Sequence, residues 1–172
     1  KAIKDSKASI GIMNIKNQGS FWFLEGILDI GEPNPVPLIH TVLKRADSFP
    51  FPQIIDGPPG NACPMVAAVE QSNFVILVTE PTPFGLSDLT LAAETVRELH
   101  IPAGVVINRS DLGNIEEAEI FCKNLALPIL ARLPFSKEVA RAYAKGIAPI
   151  LIDKQWQEAA SDILNHVKEV LS

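Results

Sequence analysis

Four short apolar runs punctuate the middle of the chain: QII at 53–55, NFVILVT at 73–79, PAGVVIN at 102–108 and LPILARL at 127–133. They are rich in Val, Ile and Leu and do not alternate cleanly, as expected of strands covered on both faces. Strands are therefore predicted near Gln53–Asp56, Phe74–Thr79, Gly104–Asn108 and Ile129–Leu133. Between them the apolar period changes to that of a helix. Leu89, Ala92, Ala93, Val96 and Leu99 form one stripe; Ala118, Phe121, Cys122 and Leu125 form another, opened by the capping box of Asn114 and Glu117. A third helix is predicted from Ser136, burying Val139, Ala140 and Tyr143 and stopping at Gly146. Asp153 caps a last helix whose apolar face, from Trp156 through Ala159, Ala160, Ile163, Leu164, Val167 and Val170 to Leu171, is predicted to meet the sheet.

Upstream, residues 8–32 read as one or two hairpins, and Leu38, Ile39, Val42, Leu43 and Ala46 share a helical face. Alternating strands and helices with short connections require right-handed crossovers. The expected architecture is α/β and three-layered, a mostly parallel sheet with helices on both faces. One domain spanning 1–172 is expected, with a β-rich, switch-like extension over 1–35 and a core over 36–172. Such sheets bind ligands outside the carboxyl ends of their strands. Asp56, Thr79, Glu80, Asn108, Arg109 and the turn after Leu133 all fall at those ends.

The 172 residues are 47% hydrophobic, enough for a sizeable core. Fifteen basic against twenty acidic residues give a formal charge of −5, which argues against a nucleic-acid surface. Cys63 and Cys122 are too far apart in sequence for a metal pair and read as reduced thiols of a cytoplasmic protein, the alternative being a single disulfide. His40, His100 and His166 do not have zinc spacing. No apolar run reaches membrane-spanning length. The first residue is Lys1 rather than methionine, which reads as a piece of a longer protein.

Asp56 precedes Gly57, Pro58, Pro59 and Gly60. An acid here either accepts hydrogen bonds from magnesium-bound water or caps the helix beginning near Ala62. The two prolines fix the backbone, while the glycines allow close approach or positive φ. The Gly60 amide could meet a terminal phosphate; a structural turn would satisfy the same sequence. Cys63 reads either as a thiol at a helix start or as a small buried residue. Cys122 reads as core. The Asn108 amide can pair with an adenine edge, and Asp111 could meet a purine amino group; the alternative is an Asx turn into Gly113. The phosphate cradle G-x-x-x-x-G-K-[ST] occurs nowhere in the chain.

The runs IIDGPPGNACP, VILVTEPTPFGLSDL, PAGVVINRSD, PILARLPFS and VARAYAKG resemble the C-terminal part of the MinD/ParA-like P-loop ATPases. More narrowly, they are similar to the branch with an inserted ferredoxin-like domain. The resemblance implies that Asp56 is the Walker B acid, holding magnesium through water, and that Gly57–Gly60 is the switch II segment, with Gly60 near the γ-phosphate. It implies that Asn108 lies at the adenine and that Pro134 and Phe135 flank the base; Arg109 and Asp111, read from their place beside Asn108, complete the expected cofactor-binding set. The Walker A lysines and the ferredoxin cysteines would precede Lys1. The implied parent binds and hydrolyses ATP with Mg2+, forms a homodimer and serves a redox or iron-sulfur partner, with clusters only on the ferredoxin-like segment. This chain alone is then expected to be inactive. The alternative is a non-catalytic α/β module that docks a protein through its strand ends.

Overall fold

The computed structural model describes residues 9–60 and 62–172. They fall into two compact units, one ending at Val69 and the other running from Glu70 to Ser172. In the first, β1 (Gly11–Asn17) and β2 (Trp22–Leu28) form one antiparallel hairpin. Its tight connection is closed by the Gln18 N–H donating to the Phe21 carbonyl at 2.9 Å. Helix α1 (Val36–Ala46) starts where Asn34 Oδ1 accepts from the Val36 amide at 3.1 Å, supplying an acceptor that the helix start otherwise lacks. It buries Leu38 and Leu43. Helix α2 (Cys63–Val69) packs beside it through Met65, Ala67 and Ala68.

Residues 53–56 do not form the predicted strand; 52–58 carry no regular structure. Ile54 is 100% exposed and Ile55 38%. A strand needs a neighbour for its amides and carbonyls, and no described residue pairs with this run. Its composition is strand-like; its partner is missing among the described residues.

The second unit is β3 (Val75–Thr79), α3 (Pro83–Glu98), β4 (Ala103–Asn108), α4 (Ile115–Asn124), β5 (Ile129–Leu133), α5 (Lys137–Tyr143), a 3-10 turn at Pro149–Leu151 and α6 (Lys154–Leu171). The strands lie side by side in the order β3-β4-β5, and both pairs are parallel. Val75, Leu77, Val105 and Ile107 share one face, where α3 packs on β3. Val106, Ala131 and Leu133 share the other, under Ala159 of α6 with Trp156 and Ile163. Three layers result. Val105 and Ile107 are completely buried; removing a side chain of that size from water contributes about 1.5–3 kcal/mol.

The predicted side-chain caps form, although the Asn114–Glu117 box closes only by half, since the Asn114 amide donates to the Pro81 carbonyl instead of the Glu117 side chain. Asn114 Oδ1 accepts from the Glu117 amide at 3.1 Å, Ser136 Oγ from Val139 at 3.2 Å, and Asp153 Oδ1 from Gln155 and Trp156 at 2.9 and 3.2 Å. Two helical faces are narrower than predicted. In α5 only Val139 is buried and Tyr143 is 72% exposed, because the helix is two turns long and ends three residues before Gly146. In α6, Leu164, Val170 and Leu171 stay about half exposed, since only the stripe through Trp156, Ala159 and Ile163 meets the sheet.

Candidate functional site

In the second unit the parallel register aligns Thr79 with Ile107 and Asn108 with Leu133, so the carboxyl ends of β3, β4 and β5 are level. The loops that follow are joined by hydrogen bonds. The Ser110 amide donates to the Leu133 carbonyl at 3.0 Å, and the Phe135 amide donates to Asp111 Oδ1 at 2.6 Å. The Asn114 amide donates to the Pro81 carbonyl at 3.3 Å. The Thr79 hydroxyl donates to the Gly85 carbonyl at 2.8 Å, tying the strand end to the first turn of α3.

Arg109 adopts a left-handed backbone at φ 50, uncommon for a residue with a side chain. That turn carries its guanidinium to 3.4 Å from Glu80 Oε1 and 5.9 Å from the centroid of the Phe135 ring. Both partners of the ion pair are substantially exposed, so it contributes well under 1 kcal/mol to stability and serves more to orient the side chain. Gly113 completes the arrangement. Its φ is +104, and a Cβ there would overlap the Pro81 carbonyl oxygen, so only glycine lets these two loops approach. Asn108 is half-buried at the end of β4, with its side-chain amide making no hydrogen bond among the described residues. Pro134 is half-buried, and the Phe135 ring remains 41% exposed. The result is a polar floor around a partly open aromatic face.

The first unit carries the other predicted residues. Asp56 is exposed and makes no hydrogen bond or ion pair among the described residues. It does not cap α2. Gly57 faces Ala68, Pro58 is half-buried and Pro59 exposed, and Gly60 takes φ +93, the second of the two roles open to it, with nothing within 4 Å of an added Cβ. A cavity of about 800 Å³ lies within this unit, with Trp22, Leu38, Val42, Phe51 and Ile55 in its walls and Asp56 at its border.

Cys63 is exposed, not the small buried residue that its setting also allowed. Helix α2 turns Met65, Ala67 and Ala68 inward instead. Cys122 is fully buried, and burial pushes its thiol pKa up from the ordinary value against the opposing pull of Arg132. No cluster of three or more His, Cys, Asp or Glu residues with metal-binding geometry occurs among the described residues. No helix among them is long and apolar enough to cross a membrane.

Asn108, Arg109, Asp111, Pro134 and Phe135 thus sit around the ends of one parallel sheet. Sequence reasoning missed the contacts between Glu80 and Arg109 and between Asp111 and Phe135. The available signal was the strand-end position of Glu80; the contact at Phe135 spans 24 residues and depends on the register of β4 with β5.

A parallel three-layer α/β sheet with its polar residues at the carboxyl ends is the architecture of many nucleotide-binding proteins. The arrangement resembles an incomplete P-loop NTPase fold, with fold-level similarity to the MinD/ParA-like ATPases. The chain is similar to the cell division ATPase MinD of Pyrococcus furiosus, with a TM-score of 0.66 and 23% identity over 84% of this chain and 65% of that one. It is also similar to the MinD cell division protein of Aquifex aeolicus, with a TM-score of 0.68 and 15% identity over 90% and 68%. Two uncharacterized proteins of Methanocaldococcus jannaschii share 26% and 24% identity with it, over 95% and 88% of this chain. The chain spans about half the length of these curated relatives, 55% and 52%. No family model matches it.

Proposed function

We propose that this chain is the C-terminal part of a MinD/ParA-like ATPase that hydrolyses Mg-ATP as a whole protein, the second unit supplying base-binding residues and the first a Walker B acid. The observation that carries the reading is the joined set of loops after β3, β4 and β5, which presents Asn108 and the Phe135 ring together at the strand ends. Asn108 has donors and an acceptor available for an adenine edge, and Phe135 offers a flat apolar face to a purine ring.

Asp56 fits magnesium in one respect: its carboxylate is exposed and has no partner among the described residues, leaving it able to accept hydrogen bonds from metal-bound water. One carboxylate is not a complete site, so the remaining ligands would have to come from phosphate oxygens and water. Bound magnesium supplies charge neutralisation on the phosphates. The Gly60 amide, in a turn that already holds φ +93, is the donor toward the terminal phosphate. The phosphate cradle, a second copy of the chain, an iron-sulfur or redox partner and a cytoplasmic setting belong to the same proposal.

A second reading, a docking module without catalysis, has in its favour the exposed Phe84 at the start of α3, 87% accessible. ATP hydrolysis by the complete gene product separates the two. Under saturating magnesium, Asp56→Asn should keep the fold and most nucleotide affinity and lose most turnover. Hydrolysis at the parental rate by the variant would make Asp56 a turn acid, and no hydrolysis by the parent would favour docking.

A further inference from the structure

Asp111 does its work through another residue. We infer that it is a positioning residue, a clamp holding the loop after β5 so that Phe135 stays presented as the platform for a ligand base, rather than a direct reader of the base. This rests on the nucleotide reading above and goes beyond it by assigning specificity and posture to different side chains.

The Asp111 carboxylate accepts the Phe135 amide at 2.6 Å, a short contact for an N–H donor, and an ionised acceptor strengthens such a bond. One residue earlier, the Ser110 amide donates to the Leu133 carbonyl at 3.0 Å. Two bonds of opposite direction, one donated from Ser110 and one accepted by Asp111, therefore tie 110–111 to 133–135 just past the last residues of β4 and β5. The Ser110 bond is made by backbone alone, whereas the Phe135 amide is held by a side chain; Pro134 between them has no N–H to add a bond of its own. On the other side, Arg109 lies 5.9 Å from the Phe135 ring while Glu80 holds the guanidinium at 3.4 Å. Phe135 is thus fixed at its backbone by Asp111 and approached at its ring by Arg109. Asp111 Oδ1 is engaged at the Phe135 backbone, whereas the Asn108 side-chain amide makes no hydrogen bond among the described residues.

The test compares Asp111→Ala, Asp111→Asn and the parent in the 172-residue chain. Asparagine retains a carbonyl oxygen that can accept from Phe135 but removes the charge; alanine removes the acceptor. Amide hydrogen exchange at Phe135 should accelerate about tenfold or more in Asp111→Ala and by much less in Asp111→Asn, with the β4 amides unchanged. Titration with millimolar adenosine and guanosine, followed by shifts of the Asn108 and Phe135 resonances, is the second arm. Clamping predicts that Asp111→Ala weakens both nucleosides by the same factor, about five- to tenfold, and that Asp111→Asn restores most of the loss. Equal Phe135 exchange in all three proteins would overturn the clamp. A change in the ratio of adenosine to guanosine affinity would also overturn it, by making Asp111 a base reader. A parent chain that binds neither nucleoside would count against the nucleotide reading and the platform role together, while the exchange arm decides the clamp separately.

Discussion

Gly113→Ala tests whether the loops at the strand ends are as tightly joined as they look. Two costs follow. A residue with a side chain at φ +104 pays about 1–2 kcal/mol for a left-handed backbone. Its Cβ would also overlap the Pro81 carbonyl oxygen, so the two loops must part, breaking the bond from the Asn114 amide to that oxygen, worth about 0.5–1.5 kcal/mol. With displaced packing the total should reach about 3–4 kcal/mol. Gly146→Ala is the internal control: its φ is +75 and nothing lies within 4 Å of the added carbon. It should cost only the backbone share, about 1–2 kcal/mol. Because the chain contains two compact units, the assay must report on the second alone; urea titration of the β4 amide resonances of Val105, Val106 and Ile107 does so. The difference between the variants should be about 2 kcal/mol. Equal destabilisation, within about 0.5 kcal/mol, would mean that the Pro81 loop yields freely and that the approach is incidental.

Three further outcomes are expected. Ile107→Ala, at a completely buried position between strands, should destabilise the second unit by about 2–5 kcal/mol in the same urea assay, and Ile107→Val by about 0.5–1.5. Asp153→Ala removes the acceptor for the Gln155 and Trp156 amides and should cost about 1 kcal/mol, seen as faster exchange in the first turn of α6. A disulfide reagent under native conditions should modify Cys63 quickly and Cys122 only on unfolding, because burial shields the second thiol and raises its pKa; two fast thiols would contradict the packing of α4.

Much of the second unit was legible in the sequence because each signal there is local and agrees with its neighbours. Asn114, Ser136 and Asp153 cap the helices they were expected to cap, and the runs at Phe74–Thr79, Gly104–Asn108 and Ile129–Leu133 became parallel strands. The run at Gln53–Asp56 shows the limit. Composition reports a preference for extended backbone, but a strand exists only when another segment accepts its hydrogen bonds. The exposure of Tyr143 and Leu164 has a related cause: periodicity defines a helical face, whereas burial depends on how wide a surface covers it. At the candidate site, strand-end position singled out Asn108, Arg109 and Asp111. It did not reveal that Asp111 would engage the Phe135 backbone or that Arg109 would turn left-handed toward Glu80, since both follow from strand register.

The affinity of the complete gene product for Mg-ATP and Mg-GTP, with and without Asn108→Ala, tests the central claim most directly. If the Asn108 amide pairs with adenine at the end of β4, the substitution should weaken ATP binding by about 1–3 kcal/mol and narrow the preference for ATP over GTP. An unchanged ATP affinity together with an unchanged preference would place the base elsewhere and contradict the account.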